Sequence, residues 1–175
     1  MRIGVISDTH GLLRPEVAEV FAGVGHIIHA GDIGDGSVLA ALRAIAPVTF
    51  VEGNVDASDG FEVTTVDLDG LRILVTHILP RPSAPGPHVL TYLEGLSGGR
   101  HAGAPRTPDF VIFGHSHLPH DEVVDGVHYF NPASAGPRRF DYPVSVGLIE
   151  EGATRHVSLD ARSAAALAKR MNQMR

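Results

Sequence analysis

The chain reads as an α/β domain in which two β-sheets pack face to face with helices outside. Three observations predict this. Short apolar runs alternate with helix-like segments through the first half. Hairpin signals at Asp69-Gly70, Asp125-Gly126 and Glu151-Gly152 dominate the second half. The 175 residues match one domain with a sizeable core, so residues 1–175 are expected to form a single unit.

Taken in order, residues 2–7 read as a buried strand. Residues 15–22 follow as a helix, with Pro15 in its first turn and Val17, Val20 and Phe21 on one face. Residues 26–30 form a second strand, 37–44 a helix capped by Ser37, and 48–51 a third strand. The alternating run 61–68 pairs with 71–76 through Asp69-Gly70. Residues 110–113 are a short apolar strand. Further hairpins join 123–124 to 127–130 and 144–149 to 154–159. The segment 80–108 stands apart as an insertion, holding six of the 12 prolines and five glycines. Inside it, 87–96 is expected as a short helix with Val89, Leu90, Leu93 and Leu96 inward. A C-terminal helix over 161–174 places Leu167, Met171 and Met174 on one face.

Composition narrows the chemistry. There are 11 histidines and no cysteine, so disulfides, thiolate zinc, iron–sulfur clusters and a cysteine nucleophile are excluded. Any metal site must use His, Asp, Glu and Asn. The net charge of −6 speaks against binding of long nucleic acid. The N-terminal apolar run is too short for a signal-peptide core, and no window reaches membrane-span length. A cytoplasmic protein without a membrane partner is expected, with homo-oligomerisation left open.

The polar residues fall at the ends of the apolar runs. Asp8 and His10 end the first, Asp32 the second, Asn54 the third, His77 the fifth, and His115 and His117 the run 110–113. Ligands of open α/β sheets sit beyond the carboxyl ends of strands. Gly31, Gly53 and Gly114 immediately precede three of these ends, where a turn needs close backbone approach or unusual φ. Seven donors exceed the needs of one tetrahedral ion; two divalent ions sharing a carboxylate would use them all. Two Asp contribute −2 against +4, and the surplus suits an anionic substrate, phosphate above all. Mixed imidazole and oxygen donors fit Mn, Fe, Zn, Co or Ni.

The ordered set Asp8-x-His10, Gly31-Asp32, Gly53-Asn54, Thr76-His77 and Gly114-His115-x-His117 resembles the calcineurin-like metallophosphoesterases, and within them the small YfcE-type phosphodiesterases. Asn131-Pro132-Ala133-Ser134 with Pro137-Arg138 resembles that branch's Asn-Pro-Gly-Ser…Pro-Arg segment, Ala133 replacing the glycine. The resemblance implies the metallophosphatase fold, a four-layer α/β/β/α sandwich of two mixed sheets. It implies one metal, Mn favoured, on Asp8, His10, Asp32 and His117, and a second on Asp32, Asn54, His77 and His115. It implies hydrolysis of a small phosphate ester, most simply a phosphodiester, by a hydroxide bridging the metals. Asn54 is also a candidate for touching a phosphoryl oxygen, and Arg138, with Arg139 beside it, for meeting phosphate.

Two positions depart from the pattern. Val55 replaces the His or Cys of the third motif and cannot donate a proton; Leu79 replaces a histidine of the fourth. His88 and His101 in the insertion are the candidate acids in its place. A retromer subunit of this fold works through protein contacts, so a non-catalytic scaffold is the alternative, followed by a phosphomonoesterase or nucleotide hydrolase.

Overall fold

Strand β1 (Arg2–Ile6) is buried through its last four residues, as a central strand covered on both faces must be. It pairs in parallel with β2 (His26–Ala30), which pairs in parallel with β3 (Val48–Val51). On its other side it meets β9 (Ser145–Glu150), and β9 meets β10 (Ala153–Ser158), both antiparallel. This sheet has the order β10-β9-β1-β2-β3. A second sheet comprises β4 (Val63–Leu68), β5 (Leu71–Thr76), β6 (Phe110–Ile112), β7 (Pro119–Val124) and β8 (Val127–Pro132), ordered β4-β5-β6-β8-β7. Its centre, from β5 through β6 to β8, is parallel; both edges are antiparallel. The structure is a computed structural model and describes residues 1–98 and 107–173.

Period-two alternation sorts the apolar residues into layers. Ile3, Val5 and Ile28 face Ile73, Val75, Ile112 and Phe130 across the two sheets. Ile6 and Ile27 point the other way, onto Val17 of α1 (Pro15–Val20), Phe21, and Val38 and Leu42 of α2 (Gly36–Arg43). Leu74 and Val111 leave the second sheet outward and meet Val89 and Tyr92 of α3 (Pro87–Gly98). Helix, sheet, sheet and helix thus form the four layers. Helix α4 (Ala161–Gln173) packs on β10 and β7, sealing the edge where the sheets meet, with Leu167 buried.

All three hairpins turn on two residues of positive φ: Asp69 and Gly70 (54° and 82°), Asp125 and Gly126 (51° and 81°), Glu151 and Gly152 (51° and 80°). That geometry matches the right-handed twist of the strands it joins. Three expectations need correction. Helix α2 is capped by Asp35, whose carboxylate accepts from Ser37 N–H at 2.7 Å, so Ser37 lies inside the helix. Leu90 is 48% exposed, because the helical period that turns Val89 inward carries its neighbour about 100° round. The first strand of the 61–76 hairpin begins at Val63, leaving Phe61 exposed. Met174, His101 and the insertion over 99–106 lie outside the described residues.

Candidate metal centre

The carboxyl ends of β1, β2, β3, β5 and β6 meet at one rim of the sandwich, three from one sheet and two from the other. Contacts across the gap define the meeting. The His77 ring, after β5, donates from Nδ1 to Ala30 O at the end of β2 (2.7 Å), and Asp8 Oδ2 accepts from His115 N–H (3.2 Å). All seven sequence-predicted donors lie there.

They form two groups that share Asp32. In the first, ligand atoms of Asp8, His10, Asp32 and His117 lie within 4.8 Å of one another. His10 Nε2 stands 3.2 Å from His117 Nε2 and 3.7 Å from Asp32 Oδ2, and His117 Nε2 lies 3.2 Å from Asp8 Oδ1. In the second, Asn54 Oδ1 is 3.2 Å from His77 Nε2 and 3.0 Å from His115 Nδ1, while His77 Nε2 is 3.2 Å from Asp32 Oδ1. One oxygen of Asp32 therefore faces each group.

The backbone bends sharply to achieve this. Asp8, His10, Asp32, His115 and His117 all adopt positive φ, between 47° and 66°. Non-glycine residues adopt this region rarely, and it clusters at functional sites. The glycines before the donors divide by cause. Gly31 needs its φ of 89°, and a Cβ there would stand 2.6 Å from His77 Nδ1. Gly53 and Gly114 need only space: a Cβ would strike Asp32 at the first, and Ser7 Oγ with Asp8 Oδ2 at the second.

Supporting bonds hold the bends. Asn131 Nδ2 donates to Gly114 O (2.8 Å) and Ser116 Oγ (3.2 Å), pinning the loop that carries His115 and His117. Ser134 Oγ donates to Asp8 O (2.9 Å). Thr9, between Asp8 and His10, bonds the buried His29 ring at Nε2 (2.9 Å) and donates to Ile33 O (3.0 Å). His29 is thus a core residue behind the site, and burial lowers its pKa to about 4. The anchoring by Asn131, on β8, and His29, on β2, follows from three-dimensional contact between strands and loops; the Asn131-Pro132-Ala133-Ser134 segment marks the first in sequence without giving its partner.

The electrostatics fit a cation. Asp8 is fully buried, and its Oδ1 receives no hydrogen bond. A buried charged acceptor left unmet is costly. Burial pushes the Asp32 carboxyl up, but bonds from His77 and from Val55 N–H (3.0 Å) outweigh it and bring the pKa down to about 2. Burial holds His10 and His115 below their ordinary values, in the direction of the neutral imidazole that binds a cation. For His77, burial lowers and the bond to Asp32 raises, with a net rise. Its Nδ1–H is held by Ala30 O, so Nε2 is the atom that faces the donors, as metal-bound histidines require.

Residues 1–153 match the family model of the calcineurin-like phosphoesterase superfamily domain. The chain belongs to the calcineurin-like phosphoesterase superfamily. The chain is 35% identical over 157 residues to a probable metallophosphoesterase of Methanothermobacter thermautotrophicus, covering 83% of this chain and 84% of that protein. Two solved structures share its fold at lower identity. One is an archaeal phosphodiesterase (TM-score 0.67, 23% identity, 90% of this chain and 99% of that one). The other is Vps29 of Entamoeba histolytica in complex with zinc (TM-score 0.62, 20% identity, 91% and 100%).

The other residues that the sequence singles out divide between the site and the packing around it. Val55 sits at the mouth of the site, 48% exposed, with its N–H on Asp32. Leu79 is buried in the cluster that docks α3 on the second sheet, so the fourth-motif departure contributes to packing. His88 Nε2 bonds Ile78 O (2.9 Å) and its ring edges onto Phe61 (4.9 Å), so that nitrogen is occupied at the base of the insertion. His101 lies outside the described residues. Arg138 donates to Tyr142 O (3.0 Å), Asp160 Oδ2 (2.6 Å) and Ser163 Oγ (2.9 Å). Its guanidinium is committed to the α4 side, which corrects its expected place at phosphate. Arg139 is the one that reaches the centre, Nη2 lying 3.4 Å from His10 Nε2. No helix among the described residues is long and apolar enough to cross a membrane.

Proposed function

We propose that this chain, as one catalytic domain, hydrolyses phosphate esters, with phosphodiesters preferred, at two divalent transition metals bridged by Asp32. The observation that carries the reading is the placement of Asp32, one oxygen towards each donor group. Asp8, His10, Asp32 and His117 would hold one ion; Asp32, Asn54, His77 and His115 the other. Mn is the favoured metal, with Fe, Zn, Ni and Co admitted by the same donors. When bound, such a pair activates water near neutral pH and offsets charge on the phosphoryl oxygens.

The chain's own residues supply the rest. Ala30 O fixes the His77 tautomer, and Ser7 Oγ–H with His115 N–H orients Asp8 so that its Oδ1 is left for a cation. Asn54 contributes a neutral oxygen, keeping the ligand charge at about −2 and the occupied centre positive. Val55 offers no proton to a departing alkoxide, which favours esters with acidic leaving groups. The preference for diesters is supported by the fold shared with the archaeal phosphodiesterase.

The second reading is a scaffold, favoured by the fold shared with Vps29 and by Val55. That relative was solved with zinc, so metal binding does not separate the readings; hydrolysis does. The test is bis- and mono-p-nitrophenyl phosphate with protein loaded with Mn, Ni, Co or Zn, and Asp32→Ala as control. Diester turnover lost in Asp32→Ala supports the proposal. Turnover of neither ester with any metal would favour the scaffold.

A further inference from the structure

Arg138 and Arg139 are neighbours in sequence, yet the loop sends one to α4 and the other to the metal centre. The turn that follows them, from Arg139 to Tyr142, is strained. Phe140 adopts φ 52°, a region bulky aromatic residues avoid, and its ring is 82% exposed, so burial offers little compensation. The turn closes with Tyr142 N–H on Arg139 O at 3.1 Å. The turn thus fixes the backbone at Arg139, whose Nη2 lies 3.4 Å from His10 Nε2.

The acceptor Arg139 meets there is a ligand atom. His10 Nε2 has one lone pair, and the same nitrogen faces His117 and Asp32. His10 would give that lone pair to an ion held by this group, leaving the Arg139 N–H in need of another acceptor in the same place. Two divalent ions against two carboxylates leave a positive centre that repels a guanidinium unless an anion lies between them. Resting on the phosphoesterase reading above, we infer that Arg139 hydrogen-bonds a non-bridging phosphoryl oxygen of the substrate, with Phe140 as its positioning residue. Arg139 thereby places a charged donor beside the first donor group, a role the apolar side chain of Val55 cannot fill.

The test uses full-length Mn-loaded protein, with bis-p-nitrophenyl phosphate turnover, inorganic phosphate binding by calorimetry, and the thermal shift produced by Mn. Arg139→Ala is expected to lower kcat/KM about 10- to 100-fold and to weaken phosphate binding by a similar factor, as loss of a charged hydrogen bond does. The Mn shift stays unchanged. Arg139→Lys recovers part of the loss, a point charge replacing a fork. Phe140→Pro, with φ pinned near about −65°, reproduces much of the loss while the guanidinium remains. Two results overturn the inference: Arg139→Ala within twofold of the parent in turnover and phosphate affinity, or a Mn shift that falls with it. A parent protein that binds Mn and phosphate but turns over nothing overturns the proposed function alone, and the phosphate affinities then decide the role of Arg139.

Discussion

Asp8→Asn should make the metal-free protein more stable while removing its response to metal. The Asp8 carboxylate is fully buried. Its Oδ2 accepts from Ser7 Oγ–H at 2.7 Å and His115 N–H at 3.2 Å, but its Oδ1 receives no donor and faces His117 Nε2 at 3.2 Å. Asparagine has the same shape. Its carbonyl oxygen can keep both donors while its NH2 replaces Oδ1 and donates to the His117 lone pair. An unmet buried acceptor costs about 1–3 kcal/mol, more when charged, so relief of about 2 kcal/mol is expected. For a chain of this size that is a Tm rise of about 4–8 °C. Urea denaturation in chelator measures it. Mn should then add about 3 kcal/mol to the parent at 100 times its Kd and far less to the variant. A variant less stable than the parent in chelator would refute the reasoning, because Asp8 would then be satisfied by the protein itself.

Other expectations follow from the same geometry. Gly31→Ala combines left-handed strain with a Cβ 2.6 Å from His77 Nδ1, and should cost about 2–4 kcal/mol and the Mn shift. Gly70→Ala, at φ 82° with nothing within 4 Å of its Cβ, should cost only about 1 kcal/mol by denaturation; equal losses at both would discount the contact with His77. His29, with a pKa of about 4 against 6.5, makes the unfolded chain bind more protons between those values. Metal-free stability should therefore fall by about 3 kcal/mol as pH drops from 6.5 to 4, and His29→Gln should flatten that slope. With Val55 unable to donate a proton, kcat/KM should fall steeply as the leaving group's pKa rises. Val55→His should lessen the slope across a series of aryl esters, and identical slopes would remove Val55 from the chemistry.

The parts legible in sequence are those written in short-range patterns. Ile3 to Ile6 alternate between two cores, and the donors after β1, β2, β3, β5 and β6 stand where an apolar run stops. Asp-Gly and Glu-Gly pairs mark hairpins because positive φ is a local demand. What was not legible depends on tertiary contact. Asp35 and Ser37 are both good caps, and the start of α2 decides between them. Arg138 and Arg139 are chemically identical, and what tells them apart is their partners: Asp160 and Ser163, more than 20 positions along the chain, for Arg138, and His10 for Arg139. His29 reads as one more strand residue until Thr9 is seen across from it.

The two-sheet origin of the donors has a consequence for the order in which a nascent chain acquires metal. Asp8, His10, Asp32 and Asn54 are synthesised first, on β1 to β3, but His77, His115 and His117 belong to the opposite sheet. The first sheet itself is completed only by β9 and β10, from the end of the chain. A half-made chain therefore offers fragments of both donor sets and the whole of neither. On the proposed ligand sets, tight metal capture would be a late event that reports docking of the sheets, and metal released by a chelator should loosen the seam between them before either sheet unravels.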